Sequence, residues 1–164
     1  MTAAVASQAL SRGVKYLVCV DKREESRVAL RLAYMKAKAR GHQVNILHVI
    51  TPGDFQTIGT VAERMREEQQ KEGQKLLDTL AENAMSVYGL QPTTLLREGT
   101  VGDEIVATLA EDPNINMLVI GVAHQSSGRG KVTAWIAGQL GNKIFVPVMM
   151  IPGNLTDQQL QGLI

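Results

Sequence analysis

The chain has 164 residues, 45% of them hydrophobic and 20% charged, and its 17 basic and 16 acidic residues leave a net charge of +1. These values indicate one globular domain, and the mixed charges exclude the basic stripe of a nucleic-acid-binding protein. No stretch approaches the roughly 20 apolar residues of a membrane span, and a single cysteine, Cys19, rules out an internal disulfide. We therefore expect a cytoplasmic protein that binds neither nucleic acid nor membrane.

Strand-like and helix-like patterns alternate along the chain. Apolar runs predict strands at residues 14–20, 44–50, 93–97, 117–120 and 144–151. Helical periodicity predicts helices at residues 24–40, 61–88, 103–110 and 132–140. This alternation is typical of an α/β fold with a parallel sheet, and the doubly wound order 3-2-1-4-5 is favoured. In that order a ligand is expected at the carboxyl ends of the first and fourth strands.

The two ends of the chain differ from the central domain, residues 13–151. Residues 1–12 lack the long apolar region of a signal peptide and are expected to form a disordered leader. Residues 152–164 contain a capping-box pattern at Thr156 and Gln159, which predicts a short helix laid on the domain or on a partner subunit. Pro147 removes one donor from the last strand, so that strand is expected at the sheet edge, where it invites pairing with a second copy.

Residues 115–138 read as a strand, a loop of small and polar residues, and a helix. Such a loop can cradle phosphate, because backbone N–H groups and the positive end of the helix dipole converge on it. Gly128 and Gly130 are the candidate cradle residues, with a flexible surface loop as an equally weighted alternative. For Asp21, which follows the first strand, binding of a ribose hydroxyl is favoured over capping of the next helix.

Several other chemistries are not supported. A Walker loop ending at residue 131 would need glycine at Gln125 and a hydroxyl residue at Val132. A phosphoacceptor aspartate is absent after the third strand, where Arg97 stands. The histidines show no paired metal spacing, and His48 in a strand is interpreted as a satisfied core histidine. No nucleophile and base stand at a catalytic spacing, so a binding protein is expected and slow ATP hydrolysis has the least support.

Residues 18–50, 98–121 and 128–151 together resemble the universal stress protein family. The specific marks are Asp21 with Ser26 five residues later, the Gly99-x-x-Gly102-Asp103-Glu104-Ile105 entry to the third helix, and the Val146-Pro147-Val148 last strand. The resemblance implies a flavodoxin-like three-layer sandwich of the adenine nucleotide alpha hydrolase-like type. It also implies a homodimer through the last strand, at Val146, Val148 and Met150, and, in one branch of the family, ATP binding.

The resemblance further implies a set of nucleotide-binding residues. Asp21 resembles the family's acidic contact to adenine and ribose, and Cys19, Val20 and Val49 would line the base pocket. The ribose and phosphates would be followed by Ile120, Gly121, Gly128, Gly130, Gly138, Gln139 and Leu140. The binding motif G-x2-G-x9-G-[ST] is matched in part, because Gln125 and Gln139 occupy two of its positions.

The function implied is a dimeric sensor or regulator in the stress response that binds ATP, with magnesium, or AMP. The alternative is the same dimeric module with an eroded nucleotide site, acting through contacts with a protein partner.

Overall fold

The computed structural model describes residues 13–52, 59–123 and 131–164. Within these ranges, strands and helices alternate in the order β1 (Lys15–Cys19), α1 (Glu24–Arg40), β2 (Gln43–Ile50), α2 (Thr60–Asn83), β3 (Thr93–Glu98), α3 (Val101–Glu111), β4 (Met117–Val122), α4 (Lys131–Gln139), β5 (Val148–Pro152) and α5 (Asp157–Gln161). A π-helical turn, Ala84–Tyr88, continues α2. The leader predicted at residues 1–12 lies outside the described residues. None of the helices in the described ranges is long and apolar enough to cross a membrane.

The five strands form one parallel sheet in the order β3-β2-β1-β4-β5, which confirms the predicted order. Tyr16 in β1 lies opposite Val44 in β2 on one side and Met117 in β4 on the other. Because the chain winds outward from β1 in both directions, the topological switch point lies between β1 and β4. The fold thus places a crevice at the carboxyl ends of these two strands.

Alternate residues of β1 enter two separate cores. Tyr16 and Val18 pack in a first core with residues of α1 and α2. Leu17 packs in a second core with Ile105 of α3 and Ile136 of α4. The continuous apolar run that predicted β1 follows from this arrangement, because a strand covered by helices on both faces has no solvent-facing side.

The start of the last strand was predicted wrongly. β5 begins at Val148, whereas Ile144 forms an isolated bridge with Leu140. Pro147, predicted inside the strand, precedes it, and its carbonyl oxygen accepts a hydrogen bond of 2.9 Å from the Leu118 N–H. Proline has no N–H to donate, so it is accommodated at the entrance of a strand, where only its carbonyl is needed. The predicted edge position of β5 is confirmed.

The C-terminal segment folds back onto its own domain, one of the two predicted placements. Thr156 and Gln159 form the predicted capping box at the start of α5. Leu160 of α5 is fully buried in the first core. The Lys36 ammonium of α1 donates to the Leu163 carbonyl oxygen at 2.7 Å. Residues beyond β5 therefore extend the layer that α1 and α2 form on one face of the sheet.

Candidate ligand-binding site

Six of the predicted site residues lie at the carboxyl ends of three adjacent strands. Cys19 ends β1, and Val20 and Asp21 follow it. Val49 is the penultimate residue of β2. Ile120 and Gly121 lie in β4, which runs on to Val122, two residues beyond its predicted end. The structure therefore brings these six residues to one edge of the sheet, at the switch point.

Three of these side chains form an apolar floor, which we define as Cys19, Val49 and Ile120. All three pack with the second core, on the face covered by α3 and α4. Burial, with a smaller contribution from the nearby Asp21 carboxylate, raises the pKa of the Cys19 thiol to about 12. The thiol is therefore neutral at physiological pH. A neutral thiol and two aliphatic side chains suit the flat face of a heterocyclic base, since ligand pockets are predominantly apolar with few polar groups.

The Asp21 carboxylate stands beside this floor and is fixed by the turn between β1 and α1. Its Oδ1 accepts a hydrogen bond of 2.8 Å from the Arg23 N–H. Oδ2 lies 3.9 Å from the Arg23 Nε, and the side chain is 55% exposed. Asp21 does not cap α1, because the N-cap residue is Arg23 and no side-chain cap hydrogen bond is present there. The carboxylate instead closes the turn before the helix through Oδ1 and stays largely exposed.

Ser26 explains the spacing of five residues that marked this turn in the sequence. Its hydroxyl lies 2.9 Å from the Arg23 carbonyl oxygen and 3.1 Å from that of Asp21. The same hydroxyl oxygen accepts a hydrogen bond of 3.2 Å from the Asp21 N–H. Ser26 is buried, and hydrogen bonds are stronger where water is excluded. These bonds therefore fix the backbone of Asp21.

Gly121 packs against the backbone of α1, a role that the sequence did not predict. A Cβ at this residue would stand 2.1 Å from the Glu25 carbonyl oxygen and 2.7 Å from the Ser26 N. A Cβ on Gly153 would likewise stand 2.5 Å from the Glu25 Cβ. β4 and the segment after β5 therefore pack closely on Glu25 and Ser26, while Glu24 stays exposed. Acidic Glu24 and Glu25 in the first turn disfavour phosphate at this helix end.

The remaining predicted residues divide into two groups. Gly128 and Gly130 lie outside the described residues. Gly138 and Gln139 form the last turn of α4, and Leu140 follows on the path back to the amino end of β5. The Gln139 carbonyl oxygen accepts hydrogen bonds from the N–H groups of Asn142 and Lys143, both at 3.0 Å. This end of α4 thus presents carbonyl oxygens, and the structure does not group these three residues with Asp21.

Other polar groups near the carboxyl edge are engaged within the protein. Arg97 at the end of β3 pairs with Glu104 and Glu111, and its pKa is raised chiefly by the hydrogen bond to Glu111. His48 Nδ1 lies 2.8 Å from the Val20 carbonyl oxygen, in agreement with a satisfied core histidine. No three His, Cys, Asp or Glu side chains cluster as metal ligands would in the part of the chain that the structure describes.

A five-stranded parallel sheet in this order, with helices on both faces, defines a flavodoxin-like α/β sandwich of the adenine nucleotide alpha hydrolase-like type. A model of the universal stress protein family matches residues 15–152. The chain therefore belongs to the universal stress protein family. No curated protein sequence matches it.

Solved structures of low sequence identity share the fold. The universal stress protein UspA from Lactobacillus plantarum aligns with a TM-score of 0.71 and 16% identity, over 86% of this chain and 99% of that one. A universal stress protein family protein from Arabidopsis thaliana, solved with AMP bound, aligns with a TM-score of 0.60 and 21% identity, over 85% and 91%. The Archaeoglobus fulgidus universal stress protein in complex with dAMP aligns with a TM-score of 0.57 and 22% identity, over 85% and 98%.

Proposed function

We propose that this universal stress protein binds an adenine nucleotide at the carboxyl edge of its sheet and acts as a dimeric sensor or regulator. The observation that carries the proposal is the exposed Asp21 carboxylate beside an apolar floor, with Oδ1 fixed by the Arg23 N–H and Oδ2 3.9 Å from the Arg23 Nε. The AMP and dAMP complexes of proteins with the same fold support adenine as the base.

In this proposal the base rests on the floor formed by Cys19, Val49 and Ile120. The ribose hydroxyls donate to the free oxygen of Asp21, since an ionised carboxylate is an acceptor and forms strong charge-assisted hydrogen bonds. Val20 offers no free backbone group to the ligand, because its N–H donates to the Leu47 carbonyl oxygen at 2.8 Å and its carbonyl oxygen lies 2.8 Å from the His48 Nδ1. Its predicted contact with the base is therefore one of packing. Recognition thus centres on the nucleoside.

The phosphates extend away from α1, because Glu24 and Glu25 in its first turn repel them. Phosphate contacts from Gly128 and Gly130 stay a prediction, since both residues lie outside the described ranges. Contacts from Gly138, Gln139 and Leu140 to the phosphates stay a prediction, as does a magnesium ion with ATP. A recognition site centred on the nucleoside favours AMP over ATP, since the triphosphate adds charge that the described residues do not neutralise.

Calorimetric titration with AMP, and with ATP plus magnesium, tests the proposal. Asp21→Ala should weaken binding by roughly tenfold, equivalent to about 1.4 kcal/mol. Asp21→Asn keeps an acceptor for the Arg23 N–H and separates loss of charge from loss of the turn. Asp78→Ala, on exposed α2, is the matched control and should bind like the unaltered protein. No heat and no thermal stabilisation at millimolar nucleotide would refute nucleotide binding.

The second candidate is a dimeric module that has lost nucleotide binding and acts on a protein partner. It is favoured by the exposed apolar residues along the β5 edge, where Phe145 is 78% and Met150 is 37% exposed. Both candidate functions include a dimer formed through Val146, Val148 and Met150. A protein that is dimeric but silent in the nucleotide titration would support this second function over the first.

A further inference from the structure

A second cavity lies at the amino edge of the sheet, opposite the proposed nucleotide crevice. It has a volume of about 350 Å³ and opens between the start of β2 and the segment that enters β3. The two strands pair from Asn45 and Thr93 onward, so the residues before them diverge and leave the space between. Its size is at the lower end for small-molecule pockets.

Asn45 is the feature that sets this cavity apart. The residue lines the cavity and is only 4% exposed. Its side-chain amide makes no hydrogen bond within the described residues, whereas the other buried polar residues there do: Ser26 bonds the turn after β1, and the Thr108 hydroxyl donates to the Glu104 carbonyl oxygen at 2.7 Å. The amide atoms are not sealed from solvent, since Arg31 Nε is the one side-chain nitrogen or oxygen atom of the described residues that is both buried and without a hydrogen-bond partner. Because Asn45 lines the cavity, a group that enters it can form hydrogen bonds with the amide.

The lining selects against charge. Asn45, Gln43, Gln91 and Thr93 contribute neutral polar side chains. His42 also lines the cavity, and its Nδ1 lies 2.8 Å from the Tyr16 hydroxyl. Burial lowers the pKa of His42, and the nearby Arg40 and Lys36 lower it further, so the ring is neutral at physiological pH. None of the side chains that line the cavity therefore supplies a counter-charge to an ionic ligand.

We propose that this cavity binds a small uncharged molecule that presents a hydrogen-bond donor and an acceptor side by side, through the amide of Asn45. An asparagine side chain offers the complementary pair, a carbonyl oxygen and an NH₂ group, on one planar edge. The lactam edge of a nucleobase and a primary carboxamide both carry this chemistry. The site is separate from the nucleotide crevice and does not depend on it.

Nuclear magnetic resonance titrations of the ¹⁵N-labelled protein test the site with two probes, uracil for the nucleobase edge and nicotinamide for the carboxamide. Binding should shift the Asn45 side-chain NH₂ signals and the Thr93 amide saturably at millimolar probe. Binding of either probe supports the site, and the stronger one identifies the source. 1,3-Dimethyluracil, which lacks the N–H donors, should bind at least about tenfold more weakly because the amide carbonyl of Asn45 loses its partner.

Two variants complete the experiment. Asn45→Leu should abolish saturable shifts from both probes. If that variant does not fold, Gln91→Trp at the exposed mouth should block the cavity, with Gln70→Trp on α2 as its control. Asp21→Ala should leave probe binding unchanged, which separates this site from the nucleotide crevice. Absence of shifts with both probes, equal binding of dimethyluracil, or unaltered binding in Asn45→Leu or Gln91→Trp would overturn the proposal.

Discussion

Gly121 of β4 approaches Glu25 of α1 so closely that a Cβ on the glycine would stand 2.1 Å from the Glu25 carbonyl oxygen. The neighbouring contact is to backbone atoms and not to a flexible side chain, so no rotamer change relieves it. The position of α1 against β4 therefore depends on the absence of a side chain at residue 121. Because Asp21 leads directly into α1, the same contact fixes the carboxylate relative to the apolar floor.

Replacing Gly121 with alanine should destabilise the protein. The added methyl group forces α1 away from the sheet, and overpacking of this kind costs about 1–3 kcal/mol. The midpoint of urea unfolding should fall correspondingly. Gly138→Ala is the matched control, because a Cβ there meets nothing within 4 Å and the residue lies in a helix. Alanine should stabilise that helix by up to about 1 kcal/mol. Equal midpoints for Gly121→Ala and the unaltered protein would contradict the packing role.

The ion pair between Lys15 of β1 and Asp112 after α3 should contribute to stability in a pH-dependent way. The hydrogen bond from Lys15 lowers the pKa of Asp112, and the Asn114 N–H adds to the effect. A carboxyl with a depressed folded pKa stabilises the fold above its unfolded pKa of about 3.9, and that stability is lost as pH falls through the folded value. Asp112→Asn should therefore reduce stability near pH 7 by about 0.5–1 kcal/mol and make it less dependent on pH below 4.

A pair on the exposed surface provides the control for Asp112. Lys22 and Glu72 lie 2.7 Å apart, yet their side chains are 73% and 60% exposed. Solvent screens such a pair, so Glu72→Gln should leave the free energy of unfolding unchanged. Equal effects of the two substitutions on acid unfolding curves would contradict the assigned difference between a sheltered and an exposed ion pair.

Cys19 should be chemically inert in the folded protein. With its pKa raised to about 12 by burial, the thiolate fraction at pH 8 is roughly a thousandfold below that of a free cysteine. Modification by Ellman's reagent should therefore be slow until the protein is unfolded in urea.

The Cys19 thiol should also make stability depend on pH. The unfolded chain loses the thiol proton near the ordinary pKa of 9.0, whereas the folded chain keeps it to about 12. The thiol thus lowers stability as pH rises between these values. Cys19→Ala should reduce that loss of stability at high pH. Rapid modification of the native protein by Ellman's reagent would contradict the predicted inertness of the thiol.

The sequence predicted those features that depend on local pattern. Apolar runs located β1 and β2 because both faces of these strands are covered. The spacing of Asp21 and Ser26, noted as a mark of the family resemblance, corresponds to a turn closed by hydrogen bonds between the two residues. Features that depend on approach between distant segments were not visible. Gly121 was predicted to follow the ribose and phosphates, and its packing against α1 is visible only in the folded structure. Asn45 reads as an ordinary strand position until the cavity beside it is found.

The error at β5 has the same origin. Residues 144–151 form one apolar run, but Ile144 is buried beside α4 while Phe145 is exposed, so the run does not follow one strand. An apolar run indicates that a segment is buried, but it does not identify the element that the segment packs against or the strand that it pairs with. The predicted phosphate contacts of Gly138, Gln139 and Leu140 stay a prediction. The structure places these residues at the end of α4, which the spacing of the glycines did not indicate.

Met150 on the β5 edge should control the proposed dimer. Its side chain is 37% exposed, and Val146 and Val148 on the same strand path pack partly against the second core. Met150→Lys places a charge on the proposed interface without disturbing that core, and an edge strand that carries lysine resists pairing. Light scattering should show a mass of about twice 17.8 kDa for the unaltered protein and a monomer for the variant. Val148→Asp should give the same result, at some cost in stability since that residue is partly buried.

Met85→Lys is the matched control for the dimer. Met85 is 45% exposed and lies in the π-helical turn after α2, away from β5, so the charged variant should stay dimeric. Circular dichroism should show that both lysine variants keep the fold. A dimer that survives both Met150→Lys and Val148→Asp would place the interface elsewhere on the molecule. A monomeric unaltered protein would remove dimerisation from both proposed functions and leave nucleotide binding to be judged by the titration of Asp21 variants alone.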